Sequence, residues 1–452
     1  MALEAEAPTA VTAKEIAAAL ARDVPASRIR TGDLAALAVD GVEPSVVVQP
    51  AHPDEAAAVL ARCDEVGAAV VPRGAGAQMG LGNVPERVDV VLDTTGLNDL
   101  VNYTPADLTL GVQAGVTLAA LQARLREEGQ HLPLDPPFAA SATLGGLMAT
   151  NMSGPRRVAS GSLRDLVIGA ETAGPDGAIT KSGGMVVKNV TGYDLHKGHI
   201  GALGTLGLIT RVNLKVAPLP ASERTAVYGY ASALDAGGAV GSIVALPVAP
   251  TGVDLIDRRL VASADVPDGP WLLAVRFGGA EAGVAAQLAM VHETLASNGA
   301  APHVLEGDAQ RDLWRDAVRV AEPPPTGEPY TVSRMSALSS QIPSLLGTAA
   351  EIAAEHGLEW RAEAHAVSGV GRVRWTGGDT DAVCRAVSDL RGAARMFDAP
   401  VVVEAAPPGV KRRLDVWGMD PSNAAHALAG ELRRAFDPNR TLNPGRFLAD
   451  AA

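Results

Sequence analysis

The amino-acid sequence predicts an α+β protein built from more than one domain. At 452 residues the chain is too long for one ordinary hydrophobic core. A β-α-β pattern in its first hundred residues ends on a glycine-rich loop, and strand–helix alternation occurs twice in its middle part. Between these regions a buried strand runs into the proline-flanked segment Pro218–Pro220, which indicates a domain boundary.

Charge and cysteine content exclude several classes of protein. A formal net charge of −13 argues against nucleic acid as a main partner, because phosphate binding needs clustered Lys and Arg. The basic groups Arg156–Arg157 and Lys411–Arg413 could still serve a small anion. Cys63 and Cys384 lie in no metal-binding or redox spacing, so an iron–sulfur cluster held by this chain alone is excluded, and we predict no metal site.

The N-terminal sequence lacks the features of a signal peptide. The stretch "MALEAEAPTAVTAKEIAAAL" is acidic and has neither a basic n-region nor an apolar h-region. No uncharged apolar run is long enough to span a bilayer. We therefore expect no membrane span and a cytoplasmic location, with association to a membrane through a partner left open.

Local signals predict the elements of the first half. After the strand Ser45–Pro50, a helix with Asp54 as its N-cap and Gly67 as its stop places Val59 and Cys63 on one apolar face. The other predicted elements are a helix over 12–24, strands over 68–72, 88–93 and 107–115, and a helix over 117–129.

The middle of the chain predicts a second α+β unit. Its strands are expected over 253–261, 271–279, 330–336 and 372–375, and its helices around 284–295, 343–357 and 383–390. This alternation suggests one sheet with helices on one side. A last helix over Ser422–Phe436 ends before Pro438 and Pro444, which cannot continue it.

The loop "VVPRGAGAQMGLG" (Val70–Gly82) has glycines in the pattern G-x-G-x-x-x-G-x-G. Its spacing differs from the dinucleotide-binding pattern of the Rossmann fold, and it leads into a strand instead of a helix. No Gly-Lys-Ser/Thr follows, so it is not a Walker A loop either. Anion binding would need consecutive backbone amides beside Arg73. A purely structural glycine turn is the alternative.

A second group of motifs lies between Leu132 and Val212: "LDPP", "ATLGG", "SGPRR", "GSLRD", "RDLVIGA", "VKNVTGYD" and "GTLGLIT". In order and spacing these motifs resemble the PCMH-type FAD-binding domain of the vanillyl-alcohol oxidase superfamily. Within that superfamily they are most similar to the FAD-binding E subunit of glycolate oxidase. The C-terminal "DPNRTLNPGRF" resembles the closing motif of the same family.

The resemblance implies an FAD-binding domain of two subdomains with an inserted α+β cap domain. We expect an N-terminal helical segment at 1–44, the FAD-binding domain at 45–220, and the cap, or substrate, domain at 221–400. Residues 401–452 should then return to the FAD-binding domain.

The resemblance also implies the residues that hold FAD. The loop residues expected to present backbone amides to its pyrophosphate are Arg73, Gly74, Ala75, Gly76, Ala77 and Gln78. Those expected around the ribityl chain and flavin are Thr143, Gly145, Gly146, Asn151, Ser153 and Gly154, with Asp135 and Pro136 of "LDPP". Those expected at the adenine end are Gly161, Asp165, Ile168, Gly204, Gly207 and Ile209. Asn443 should reach the flavin ring.

One departure from the family concerns covalent attachment. Members with histidyl-linked FAD have a His just after the loop glycines, and the matching residue here is Ala77. We therefore expect FAD to be bound noncovalently.

The substrate side carries fewer motifs. Related dehydrogenases have an "HxGDGNxH"-like motif in the cap, whereas "EAHAVSGVGRVRW" has His365 in the first position and no second His, which argues against a two-His metal site. His365 could take the hydroxyl proton of a substrate, or could be a structural polar residue. Arg334 and Arg372 or Arg374 could pair with a carboxylate, and Glu404 is either a site member or a polar residue at a strand end.

The resemblance implies an FAD-dependent oxidoreductase that oxidises a small 2-hydroxy acid, of the glycolate or D-lactate type, by hydride transfer to flavin N5. It would act alone or as a subunit, with an iron–sulfur or second flavin subunit as electron partner. Two alternatives remain open: a flavin-binding electron-relay or structural subunit without its own substrate site, and an FAD-dependent polyol or sugar oxidase.

Overall fold

A computed structural model describes residues 11–186, 192–263, 265–296, 302–420 and 422–447. The first five residues of the "VKNVTGYD" motif, 187–191, therefore lie outside the described residues. Within these ranges the chain forms three main sheets and their covering helices, and the α+β fold class is confirmed. No helix in these ranges is long and apolar enough to cross a membrane.

The strands before residue 220 are β1 (Ile29–Arg30), β2 (Val46–Val48), β3 (Val70–Arg73), β4 (Val90–Asp93), β5 (Leu100–Thr104), β6 (Thr109–Gln113), β7 (Gln130–His131), β8 (Val167–Ala173), β9 (Ile179–Gly183), β10 (Leu208–Lys215) and β11 (Ala217–Pro218). The helices of this region are α1 (Ala13–Leu20), α2 (Pro53–Val66), α3 (Leu118–Arg126), α4 (Leu144–Thr150), α5 (Arg157–Ser160), α6 (Leu163–Leu166) and α7 (His196–His199).

The strands after residue 220 are β12 (Ser222–Tyr230), β13 (Gly252–Asp257), β14 (Trp271–Gly279), β15 (His303–Leu305), β16 (Tyr330–Ser336), β17 (Glu359–His365), β18 (Val370–Thr376) and β19 (Val401–Ala405). The helices are α8 (Ala233–Val244), α9 (Glu281–Ala296), α10 (Gly307–Val318), α11 (Ile342–His356), α12 (Thr380–Ala394), α13 (Pro408–Lys411) and α14 (Ala424–Phe436).

The first sheet has the order β1-β2-β4-β3. Two parallel pairings bring β2, β4 and β3 side by side, and β1 pairs with β2 in the antiparallel direction. Helices α1 and α2 cover one face through a core that includes Ile16, Leu60 and Val90. The N-cap of α2 is His52, not Asp54 as predicted, because Pro53 already has the backbone angle of a first helical residue. Gly67 ends the helix as predicted, in a left-handed conformation.

The second sheet is antiparallel, with the order β5-β6-β10-β8-β9. Helices α3, α4 and α6 pack on it and bury leucines such as Leu121, Leu147 and Leu166. The start of α4 therefore rests on β6, with the amide of Gly145 donating to the carbonyl of Ala114 at 2.8 Å. This contact fixes one wall of the cleft described below.

The third sheet is the largest, with the order β15-β12-β14-β13-β17-β18-β16-β19 and antiparallel pairing throughout. Helices α8, α9, α11 and α12 cover one face, as predicted. The prediction is wrong for α10, whose Leu313 and Trp314 pack on the opposite face against Val227 and Leu272.

The C-terminal region connects the third sheet to the first. Strand β19 is still an edge strand of the third sheet, so the chain leaves that sheet after Ala405 rather than at the predicted boundary of 400. It then returns to β3, where the amide of Val70 donates to the carbonyl of Thr441 at 2.7 Å and that of Asn443 to the carbonyl of Val70 at 2.9 Å. The returning tail thus extends the first sheet beside the glycine loop.

Candidate functional site: a glycine-lined cleft and a charged network in the cap

A cleft lies between the glycine loop, the start of α4 and the returning tail. The loop follows β3, which pairs in parallel with β4 and ends at Arg73, at the edge of the first sheet. The lining residues are Pro72, Gly74, Ala75, Gly76, Ala77, Gln78, Met79, Leu81, Ala142, Thr143, Gly146, Ala149, Thr150, Leu203, Asn443 and Arg446. The cleft thus brings together five predicted loop residues, Thr143, Gly146 and Asn443.

Gly74 has a steric role in this cleft. Thr143 is the N-cap of α4 and accepts a hydrogen bond from the amide of Gly146 at 3.3 Å. Any side chain on Gly74 would overlap with that of Thr143. At Gly76, φ is +82° and the guanidinium of Arg73 lies over the Cα. Glycine is therefore required at position 74 for the two walls to approach each other, and at position 76 for the loop to adopt its conformation beside Arg73.

Two buried polar atoms in the cleft wall lack a hydrogen-bond partner among the described residues: Gln78 Nε2 and Asn443 Oδ1. The other ends of both amides are fixed. Gln78 Oε1 accepts from Thr150 Oγ1 at 2.5 Å, and Asn443 Nδ2 donates to the carbonyl of Leu203 at 2.6 Å. A donor and an acceptor are thus left for a ligand, since buried polar groups in native proteins are normally paired. These residues fit a nucleotide cofactor such as FAD.

Two cations from the tail hold the far half of the glycine loop. Lys411 Nζ donates to the carbonyls of Gly80 at 2.5 Å and Gly82 at 3.1 Å. Arg446 Nη2 donates to the carbonyl of Met79 at 2.8 Å and to that of Leu81. We call Lys411 and Arg446 the loop clamp. Sequence patterns did not indicate it, although Arg446 lies in the "LNPGRF" motif and Lys411 in one of the two basic groups that could serve a small anion.

The loop clamp is buried and has one counterion. Asp40 pairs with Lys411 Nζ at 2.9 Å and with Arg446 Nη1 at 3.3 Å. Burial lowers the pKa of Lys411 to about 8, and the Asp40 carboxylate opposes that shift. Burial likewise lowers the pKa of Arg446. Because one carboxylate faces two cations, the loop clamp carries excess positive charge beside the cleft.

Several other predicted cofactor residues are not among the lining residues of the cleft and contact other parts of the protein. Gly145 packs on Ala114, and Gly154 lies against the backbone of Asp135. Asp165 caps α6, accepting from the amide of Ser162 at 2.8 Å, and Gly161 has a positive φ beside it. A separate polar groove is lined by Asp165 and Ile168.

The remaining predicted contacts are spread around the cleft. Gly204 lies near Pro72 and the Asn443 amide at its edge, Gly207 lies against His199, and Ile209 belongs to the core of the second sheet. Asn151 ends α4 with φ +50° and a buried, unpartnered Oδ1. Ser153 accepts from Arg157 Nη1 at 3.3 Å.

Asp135 and Pro136 lie in a different groove, between the FAD-binding region and the cap. Asp135 Oδ2 pairs with Nη2 of the buried Arg276, on β14, at 2.8 Å, and Asp135 Oδ1 accepts from the amide of Arg156 at 2.9 Å. Arg276 also lies over the Trp314 ring, 4.4 Å from its centroid. The structure therefore places Asp135 in an interdomain ion pair, not in the wall of the cleft.

The four residues predicted to be catalytic come together on one face of the third sheet. Strand register explains this: His365 lies opposite Asp254 on β13, and Arg372 lies opposite Glu363 on β17 and Arg334 on β16. Residues two apart on a strand share a face, so His365 and Glu363 point the same way. We call the six side chains Asp254, Glu363, His365, Arg372, Arg334 and Glu404 the cap network.

Arg372 is the centre of the cap network. Its Nε donates to Glu404 Oε2 at 2.8 Å, and its Nη1 to Glu363 Oε1 at 2.9 Å. Nη1 also lies 3.3 Å from His365 Nε2, and Nη2 lies 3.5 Å from Met152 Sδ of the FAD-binding region. Glu404 Oε1 accepts from Arg334 Nε at 2.9 Å. The cap network therefore lies at the interface with the FAD-binding region.

Burial and neighbouring charges together shift the pKa values of the cap network. Burial alone would raise the pKa of Glu404, but Arg372 and Arg334 outweigh it and lower that pKa. Burial raises the pKa of Asp254 to about 6. Burial would lower the pKa of His365, but the carboxylates of Glu363 and Asp254 raise it above its usual value.

His365 is poorly placed for the predicted role of base. It is 1% exposed, its Nδ1 lies 3.0 Å from Asp254 Oδ2, and its Nε2 faces Arg372. Both ring nitrogens are therefore already occupied.

The ligand atoms of Asp254, Glu363 and His365 lie within 4.8 Å of one another, a spacing that a metal ion could use. The sequence did not suggest this trio, because its members lie on two separate strands. The guanidinium of Arg372 already faces Glu363 and His365. Arg372 stands seven residues after His365, where the "HxGDGNxH" pattern has its second His, so a fixed organic cation takes the place of an imidazole.

Comparisons with known proteins agree with this geometry. A family model described as "FAD binding domain" matches residues 44–194, and one described as "FAD linked oxidases, C-terminal domain" matches residues 219–382. The solved structure of p-cresol methylhydroxylase with substrate bound superposes with a TM-score of 0.75 at 16% identity, covering 96% of each chain, and so shares the fold.

Curated relatives cover different parts of the chain. Glycolate oxidase subunit GlcD of Bacillus subtilis (strain 168) is 26% identical over 446 residues, 90% of each chain. Glycolate oxidase subunit GlcE of Escherichia coli (strain K12) is 41% identical over 130 residues, 28% of this chain and 37% of GlcE. D-lactate dehydrogenase of Anaerostipes hadrus is 32% identical over 240 residues, 53% of this chain and 50% of the relative. Together with the two family models, these findings show that the chain belongs to the FAD-linked oxidases, flavoproteins with a PCMH-type FAD-binding domain, and that its cofactor is FAD.

Proposed function

We propose that the protein is an FAD-dependent dehydrogenase or oxidase of small 2-hydroxy acids. The names of the curated relatives, glycolate oxidase subunits and D-lactate and D-2-hydroxyglutarate dehydrogenases, support this substrate class. The observation that carries the proposal is the cap network, which presents two arginines at the interface between the cap and the FAD-binding region.

The residues of the cleft would hold the cofactor. The loop Arg73–Gln78, the start of α4 at Thr143–Gly146, and Asn443 are the proposed contacts. The lining contains no Cys, His or Tyr that could form a bond to FAD, which supports noncovalent binding. The remaining predicted cofactor contacts stay proposals. When bound, FAD supplies a two-electron acceptor for the α-hydrogen of the substrate, which leaves as hydride.

Oxidation of a 2-hydroxy acid to a 2-oxo acid also releases the hydroxyl proton and requires a held carboxylate. Arg334 is the cap-network member best placed to hold it. Its side chain is 31% exposed, and its Nη2 has no partner among the described residues, whereas Nε and Nη1 are fixed by Glu404 and Ser336. Glu404 stays ionised and keeps Arg334 and Arg372 in place, so its proposed role is positioning.

Anaerobic reduction of the bound flavin tests this function. We expect glycolate or D-lactate to bleach the visible absorbance of the purified holoprotein, and D-sorbitol to leave it unchanged. Acid precipitation should release the yellow colour into the supernatant. A flavin that no 2-hydroxy acid reduces would refute the proposal, and reduction by D-sorbitol would favour a polyol oxidase.

A role as a relay subunit is the second candidate, because the 41% identity to GlcE concerns a protein named as a subunit. A multi-subunit oxidase fits the names of both glycolate oxidase relatives. An iron–sulfur or second flavin subunit as electron partner, and a cytoplasmic or partner-mediated membrane location, remain proposals. Flavin that is reduced only after a co-purifying subunit is added back would support the relay role.

A further inference from the structure

Arg157 lies on the FAD-binding side of the same interface. It begins α5, which packs against β13, the strand that carries Asp254 of the cap network. Five residues earlier in the chain, Met152 Sδ receives Nη2 of Arg372 at 3.5 Å. The segment from Met152 to Arg157 therefore faces the cap network across the interface.

The charges at this interface are unequally paired. Arg372 is held by Glu363 and Glu404, and Arg334 by Glu404. The guanidinium of Arg157 has one hydrogen bond, to Ser153 Oγ at 3.3 Å, and forms no ion pair with any residue in the described ranges. It is half-buried, and burial together with the nearby charges of Arg334 and Arg372 lowers its pKa.

Within the described ranges no carboxylate forms an ion pair with Arg157. Asp165 is the acidic residue whose charge acts on Arg157. Its carboxylate already accepts hydrogen bonds from the amide and the hydroxyl of Ser162, at 2.8 and 3.0 Å. Its neighbour Arg156, by contrast, pairs with Glu223 at 2.8 Å. A half-buried guanidinium beside two like charges is costly unless an anion joins it.

We propose that Arg157 binds the carboxylate of the 2-hydroxy acid substrate, together with the unpartnered Nη2 of Arg334. This inference rests on the proposed function and adds a substrate-binding residue from the FAD-binding side. A carboxylate between two guanidinium groups can accept charge-assisted hydrogen bonds from both. The substrate then bridges the two halves of the protein, and its carboxylate neutralises the unpaired charge.

Variants of the holoprotein test the assignment. In R157Q we expect the concentration of D-lactate that half-saturates anaerobic flavin reduction to rise roughly tenfold to hundredfold, the loss of one charge-assisted contact. R157K keeps a positive charge but lacks the planar guanidinium with its paired donors. Its half-saturating concentration of D-lactate should therefore lie between those of wild type and R157Q. R413Q removes an exposed arginine of the C-terminal region that pairs with Asp381, and it should match the wild type. Flavin content and Tm are measured for every variant.

A second readout separates this inference from the proposed function. Oxalate carries carboxylates but has no hydrogen to donate, so its binding, followed by perturbation of the flavin spectrum, reports the anion site alone. R157Q should bind oxalate at least roughly tenfold more weakly than wild type. If no 2-hydroxy acid reduces wild-type flavin but R157Q still loses oxalate binding, the proposed function fails and the anion site stands.

Unchanged half-saturation and unchanged oxalate affinity in R157Q would overturn the assignment. Lactamide, a neutral analogue of lactate, should be used equally by wild type and R157Q. An equal loss with lactamide would also overturn it, because the effect would then not concern a carboxylate. Should R157Q lose its flavin, R157K provides the same comparisons.

Discussion

Gly74 and Thr143 approach each other so closely that no side chain fits between them, and this contact joins the glycine loop to the start of α4. In G74A the added methyl group must push the two cleft walls apart. Overpacking of this kind costs about 1–3 kcal/mol, so we expect FAD affinity to fall roughly fivefold to hundredfold. Fluorescence titration of the flavin-free protein with FAD measures it.

Gly238 provides the matched control for this substitution. It lies in α8, and an added methyl group would meet no atom within 4 Å. G238A should therefore leave FAD affinity unchanged and raise Tm slightly, because Ala favours the helix. Equal FAD affinity in G74A and wild type would show that the close approach has no part in forming the cofactor site.

FAD affinity should decrease as pH rises through about 8, the pKa of Lys411. The pyrophosphate of FAD is an anion, and an anion near the loop clamp favours the charged form of Lys411. By linkage, the charged form favours FAD. In K411R the side chain keeps its charge, so the decline around pH 8 should vanish. The same decline in K411R would assign the effect to another group.

Lys411 should act on folding in the opposite sense. Its pKa is lower in the folded protein than the ordinary value of 10.5, so the unfolded chain binds more protons between these two values. Buried, charged Lys411 therefore lowers the free energy of unfolding, and this effect becomes smaller as the pH rises from about 8 toward 10.5. Urea unfolding of flavin-free wild type and K411M across this range measures the difference, and parallel curves would contradict it.

Removal of Arg372 should destabilise the cap strongly. In R372M the carboxylates of Glu363 and Glu404 stay buried without their shared guanidinium, which costs about 3–5 kcal/mol for a broken buried pair. Urea unfolding measures this loss. The exposed pair of Arg413 and Asp381 provides the comparison, and R413Q should cost less than about 1 kcal/mol. Similar losses in the two variants would mean that the cap network is solvated in solution.

Asp135 should prove to be a structural residue. D135N leaves the buried Arg276 without its counterion, so we expect a loss of about 3–5 kcal/mol in the free energy of unfolding. FAD affinity should stay within roughly twofold of wild type, since the cleft lining does not include Asp135. Weaker FAD binding with unchanged stability would instead restore the cofactor contact that the "LDPP" motif implies.

Local sequence signals predicted individual elements well. Strand β16 has the predicted bounds, Tyr330–Ser336, because a proline-rich loop precedes it and it begins with Tyr, Thr and Val, which favour strands. Helix α11 ends at Gly357, whose left-handed conformation suits glycine. The loop glycines were identified because glycine spacing is itself a local signal.

Contacts between distant segments could not be predicted in the same way. Asp254 and His365 are 111 residues apart, and only the pairing of β13 with β17 makes them neighbours. Strand order depends on the packing of the whole sheet, which one sequence does not reveal. Sequence patterns therefore suggested His365, Arg372, Arg334 and Glu404 one by one, but not the network that fixes their roles.

The glycine loop and the loop clamp that holds it are synthesised at different times. The glycine loop emerges from the ribosome early, while Lys411, which holds Gly80, follows 331 residues later. Until that late segment is made, four loop carbonyls lack their donors and the cleft lacks Asn443. We therefore expect flavin uptake to follow synthesis of the C-terminal region, so that a nascent chain stalled within the cap remains colourless.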